Sequence, residues 1–208
     1  MDTHNHTPST SRRLAAPALL ATTSFTPAML ASRRQVIVAT LATGAAVCAG
    51  CSASTGIDRK LAFPSLAEAG EELSRLALAK ERASSATWNW AQTVAHCAQS
   101  IEYSMSGFPE PKSALFQSTA GAAAFRVFAW RGRMTHDLAE PIPGARALAT
   151  DTDPTAAVAR LRAAIQAFRQ WPGELRPHFA YGSLDKRDYD LAHAMHLANH
   201  FSQFEPKA

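Results

Sequence analysis

Five stretches of this chain repeat apolar residues at intervals of three and four, and each is bounded by proline, glycine or a capping side chain. That period is the pitch of an α-helix with one buried face. The first stretch runs from about Ser65 to Arg82, with Leu66, Ala69, Leu73, Leu76 and Ala77 on one stripe. The second, about Thr87 to Ser106, carries an aliphatic row (Val94, Ala98, Ile101, Met105) beside a polar and aromatic one (Trp88, Gln92, His96, Gln99, Tyr103). The third covers about Ser113 to Trp130, with Leu115, Phe125 and Phe128 as expected core. Asp153-Pro154 opens the fourth as N-cap and first-turn proline, followed by Val158, Leu161, Ile165 and Phe168. Ser183 or Asp185 caps the fifth, which extends to about Phe204. Alanine and leucine dominate and β-branched runs are sparse after Ile57, so the expectation is an all-α helical bundle. The connection through Pro141-Ile142-Pro143-Gly144 is expected to be irregular.

Residues 1–53 read as a leader instead. Ser32-Arg33-Arg34 followed by a short run of Ala, Thr, Val and Gly has the layout of an export signal, and its paired arginines look like a twin-arginine address. The run is too short to span a bilayer as a convincing helix. Ala49-Gly50-Cys51 resembles the end of a bacterial lipobox, with Cys48 where leucine is usual; Cys51 is the candidate lipidation site. The alternative is simple cleavage near Ala53. Met29 opens a compact signal over 29–51 and is a candidate start, which leaves 1–28 without a role. The expected location is therefore the periplasm, or the cell envelope through a lipid anchor.

Charge removes one class of partner. The first 51 residues hold four arginines against Asp2, so the remaining 17 basic and 16 acidic residues nearly balance. Nothing electrostatic points to nucleic acid. Three cysteines make no disulfide framework, and Cys97 reads as a small buried side chain.

The chemistry lies in histidines. Asp190-Leu191-Ala192-His193-Ala194-Met195-His196-Leu197-Ala198-Asn199-His200 places His193, His196 and His200 on one helical stripe with Tyr189 and Gln203. His196 and His200, one turn apart, can offer two nitrogens to one ion. His96 on the second helix can supply a third, since bundle sites are built from facing helices. Packed, hydrogen-bonded core histidines are the plain alternative. No carboxylate shares the histidine stripe, because Asp188, Asp190 and Glu102 fall off it, and that argues against a di-iron carboxylate site. Trp88 and Trp90 read as bundle core, with a substrate-facing wall as the alternative.

Three segments carry a resemblance: Trp90 through Ile101 around His96, the loop Pro177-His178-Phe179-Ala180-Tyr181-Gly182-Ser183-Leu184, and the terminal His196-x-x-x-His200-x-x-Gln203-Phe204. Together they resemble the DinB-like four-helix-bundle superfamily, in its branch called domain of unknown function 1569, over about 61–204. The resemblance implies an up-and-down four-helix bundle with an additional helix. It also implies one divalent transition metal (zinc, nickel or iron) held by His96, His196 and His200, with His193 as alternate ligand. His178 and Gln203 are the candidates for acting beside the ion. The superfamily includes thiol-dependent enzymes, so a metal-dependent hydrolase or a thiol-dependent transferase acting on a small molecule is the leading expectation. A non-catalytic envelope lipoprotein with a structural site, or none, is the alternative. A homodimer is the candidate assembly.

Overall fold

The computed structural model describes residues 56–207, and the expectations for the leader, including Cys48, Cys51 and both candidate starts, lie outside the described residues. The elements are α1 (Leu66–Leu78), β1 (Arg82–Ser84), α2 (Trp90–Ser106), α3 (Ala114–Phe116), a π-helical turn (Gln117–Gly121), α4 (Ala122–Arg131), α5 (Pro154–Gln170), α6 (Lys186–Phe201) and β2 (Phe204–Pro206). The described residues are mostly helical, as their periodicity requires. Among the described residues no helix is long and apolar enough to cross a membrane.

The four long helices α1, α2, α5 and α6 surround one core. Leu66, Leu73 and Leu76 of α1, Val94 and Ile101 of α2, Leu161 and Phe168 of α5, and Leu197 and Phe201 of α6 belong to it. Each such side chain contributes about 1.5–3 kcal/mol by leaving water. The α2 helix packs along α5, while α6 lies against α1, α2 and α4. Buried positions on α6 cover its whole circumference from Ala192 to Ala198, so it is a central helix rather than a surface one.

The helix starts follow the capping chemistry. Ser65 accepts from the amide of Glu68 at α1, Asp153 from those of Thr155 and Ala156 at α5, and Asp185 from that of Asp188 at α6. Asp190 spends its carboxylate on α1, accepting from the Leu66 amide at 3.1 Å. The α2 start differs from the expected Thr87. Asn89 and Gln92 form a reciprocal capping box, so the helix begins at Trp90 and Gln92 is committed to its end.

A two-stranded antiparallel ribbon was not expected. Arg82, Ala83 and Ser84 pair with Pro206, Glu205 and Phe204, which shortens both flanking helices. Arg82 donates to the carbonyls of Leu76 (2.7 Å) and Ala79 (2.8 Å), satisfying the end of α1 four residues before the expected stop. The last helix stops at Phe201, and Phe204 packs as a strand residue against Trp90, ring centroids 5.2 Å apart.

The third helical stretch is also interrupted. Gly121 lies so close to the backbone of Ala180 that a Cβ there would sit 1.9 Å from its carbonyl oxygen. The π turn ends at this glycine and lets the helix run under the 178–182 loop. Phe125 is buried as expected, but Leu115 is 74% exposed. The interruption turns α3 away from the core, so Leu115 no longer follows the register that buries Phe125.

Candidate metal centre

Six histidines occur in the described residues, and all six belong to one cluster or to the cavity beside it. His96 comes from the middle of α2, and His196 and His200 from successive turns of α6. The Nε2 of His196 lies 3.2 Å from that of His96 and 3.1 Å from that of His200. Donors bound to one ion at ~2.0–2.1 Å in a tetrahedral arrangement stand about 3.3 Å apart, so the separations suit a shared ion.

Hydrogen bonding alone leaves this cluster incomplete. The single Nε2 of His196 faces two other Nε2 atoms, and neutral imidazole has either one proton or one lone pair at each nitrogen. The Nδ1 atoms of His96 and His196 are buried without a partner. Burial holds these rings neutral: His96 is lowered to about 3, by desolvation first and His136 second. His196 and His200 are lowered well below the ordinary imidazole value for the same leading reason, with neighbouring histidines adding to it. Neutral nitrogens with converging lone pairs are the donor set a borderline-soft divalent ion takes.

Sequence reasoning missed the fourth member. His136, in the irregular connection between α4 and α5, brings a ring nitrogen into the same group, whose four ligand atoms all lie within 4.8 Å of one another. Its ring centroid is 5.1 Å from those of both His196 and His200. His136 is an exposed residue, unlike the other three. The Asn199 side-chain amide lies 2.8 Å from His136 Nδ1. Turned so that its oxygen accepts from Nδ1–H, that amide holds the tautomer whose Nε2 is free to ligate. The available signal was the length of the loop over 132–153, since long connections in compact domains usually carry function.

The remaining candidates stand outside the group of four. His193 is 2% exposed and outside the four-histidine group. Its ring stacks on Tyr189 at 5.3 Å and meets the edge of Phe168 at 5.2 Å. Gln203 accepts from the Ser85 hydroxyl beside the ribbon, and Gln99 donates to the Arg146 carbonyl. Neither reaches the cluster. Trp88 precedes α2 and stacks on His200, planes 8° apart, as a wall behind the site rather than core. Trp90 is core, as expected. Cys97 is fully buried, which pushes its thiol up, and it points no reactive sulfur at the histidines.

A cavity of about 130 Å³ opens from the cluster. His96, His136 and His196 form one wall; Met134, Ile142, Phe179, Tyr181 and Ala192 form much of the rest, with His178 and His193 beside them. The loop holding His178 is itself fixed: His178 and Gly182 exchange backbone hydrogen bonds at 2.8 and 3.1 Å, and Tyr181 stacks on the His178 ring at 4.2 Å.

The same span of the chain is recognised in sequence comparison. The model of a family described as protein of unknown function (DUF1569) matches residues 56–207. Curated proteins and solved structures give no match. With that match covering the whole helical domain, the chain belongs to the DUF1569 family.

Proposed function

We propose that this protein is a metal-dependent enzyme of DinB-like architecture that acts on a small molecule, by hydrolysis or by transfer to a thiol. The observation that carries the reading is the approach of three Nε2 atoms from α2 and α6 to 3.1–3.2 Å, with no protein group to resolve the contact. The four long helices around a single core, with the histidines on two facing members, support the DinB-like assignment. His96, His196 and His200 would hold a zinc, nickel or iron ion, and His136 would complete the set from its loop. Such an ion, held by neutral ligands, keeps its full charge and lowers the pKa of a water or thiol that joins it.

The alternative, a sealed structural site with His193 as fourth ligand, has less support. His193 packs against Phe168 and Tyr189, and the cavity reaches the cluster wall. The fourth nitrogen comes from a partly exposed loop residue, which can yield its position to a substrate without disturbing α2 or α6. The chain's own residues then have distinct tasks: the helices fix three nitrogens, Asn199 orients His136, Trp88 closes the far side, and the apolar walls exclude water. Export to the periplasm or envelope belongs to the same proposal, on the strength of Ser32-Arg33-Arg34 and Ala49-Gly50-Cys51.

Elemental analysis of protein purified without an affinity tag tests the reading. One divalent ion per chain is expected. His196→Ala should lose it while keeping helical circular dichroism. Metal-free wild-type protein, or unchanged metal content in His196→Ala, would overturn the site.

A further inference from the structure

The cavity lining holds a second pair of histidines outside the four-histidine group, His178 and His193. His178 Nδ1 accepts from the backbone amides of Ala180 (3.1 Å) and Tyr181 (3.2 Å). A nitrogen that accepts cannot carry a proton, so this ring is neutral and its single N–H is at Nε2. The loop therefore fixes the tautomer without any titratable partner. The ring is clamped between Phe108 at 5.0 Å and Tyr181 at 4.2 Å, and it lines the cavity. His193 lines the same cavity, shares the Tyr189 ring as a neighbour, and has a buried Nε2 with no partner.

Charge is scarce around this pair. The cavity lining holds one basic and one acidic side chain, Lys112 and Glu140, both exposed. Burial also keeps His178 and His193 neutral, each lowered to about 3 with desolvation as the first cause. A carboxylate or ammonium set directly against these two neutral rings would lose hydration without gaining a counter-charge from either of them. An uncharged oxygen acceptor would gain a preset donor.

We propose that His178 Nε2–H and the neighbouring His193 form a recognition subsite for the uncharged carbonyl or hydroxyl oxygen of a small, largely apolar substrate. This rests on the metal reading only for what happens at the substrate's other end. His178 is a binding residue that selects a neutral acceptor over a charged group. Its position in the 178–182 loop, over Gly121, keeps that donor still while α6 holds the ion.

The experiment uses the full chain loaded with zinc and a matched set of probes: cyclopentanone, cyclopentane and cyclopentylammonium. Binding is followed by NMR of histidine-labelled protein. Cyclopentanone should bind about tenfold more tightly than either relative, the value of one added neutral hydrogen bond in a desolvated site. His178 should give the signature of an Nε2–H tautomer, and its resonance should move with the ketone. His178→Asn is the test variant, because its Oδ1 can replace Nδ1 for the two loop amides while the Nε2–H donor is lost. It should reduce the ketone preference to about threefold or less, with azide binding at the zinc ion unchanged. No ketone preference in the wild type, a preference retained in His178→Asn, or an Nδ1–H signal for His178 would each overturn the subsite. Ketone selectivity that persists when azide fails to bind would instead overturn the metal reading and support the subsite.

Discussion

Acid should unfold the metal-free protein over a window set by its buried imidazoles. His96, His178 and His193 are each held at about 3 in the folded protein, against about 6.5 in an unfolded chain. Between these values the unfolded chain binds more protons, so stability rises with pH through the window and levels off above about 6.5. At pH 5 the gap from the unfolded value is about 1.5 pH units, which costs about 2 kcal/mol per imidazole and ~6 kcal/mol for the three. His196 and His200 are lowered in the same direction and add to the loss. A domain of ordinary stability has about 5–15 kcal/mol in total, so the chelator-treated protein should be near its unfolding midpoint around pH 5. Urea titrations at pH 7.5, 6.5, 5.5 and 5.0, read by far-ultraviolet circular dichroism, give the free energies directly. A change below about 1 kcal/mol between pH 7.5 and 5.0 would refute the burial argument, because charged imidazoles would then be accommodated in the fold. A bound ion, which needs the same neutral nitrogens, should move the whole curve upward at pH 7.5 and be released as the pH falls.

Two further outcomes follow from particular contacts. Gly121→Ala places a Cβ 1.9 Å from the Ala180 oxygen, so it should destabilise the domain by about 1–3 kcal/mol in urea titration and disturb ligand binding at the 178–182 loop; a neutral effect would mean the loop is free to move away. Asn199→Ala should weaken metal affinity by about 10–100-fold through loss of the His136 restraint, and adding it to His136→Ala should cost little more; additive losses in competitive chelator titration would show that Asn199 does not act through His136.

Most of the helical domain was legible because its signals are local. Asp153-Pro154 fixes the start of α5, and the three- and four-residue spacing of Val158, Leu161, Ile165 and Phe168 fixes its buried face. What escaped depends on distant chain. Arg82 reads as the end of a helix and Ala83 and Ser84 as its stop until Phe204 to Pro206 arrive to pair with them. Leu115 fits a helical stripe, yet the π turn forced by Gly121 beneath Ala180 takes it out of register. At the site, His96, His196 and His200 were readable from helix spacing and family resemblance, because rigid elements carry them. His136 was not, since a lone histidine in an irregular loop has no periodicity to give it a direction. His193 shares the stripe of His196 and lines the cavity beside it, but it packs against Phe168 and Tyr189 and stays outside the group of four.

The ribbon and its surroundings also stitch the domain's entry to its exit. The Arg59 amide donates to the Ser202 carbonyl, that of Leu61 to the Ser202 hydroxyl, and that of Lys207 to the Glu81 carbonyl. Residues 59–61 thus meet residues 201–202 along one seam, far apart in sequence and adjacent in space. Each of the two segments supplies the other's backbone partners, so removing residues 59–61 would expose polar groups at the end of α6 as surely as removing residues 201–202 would unfasten the segment before α1.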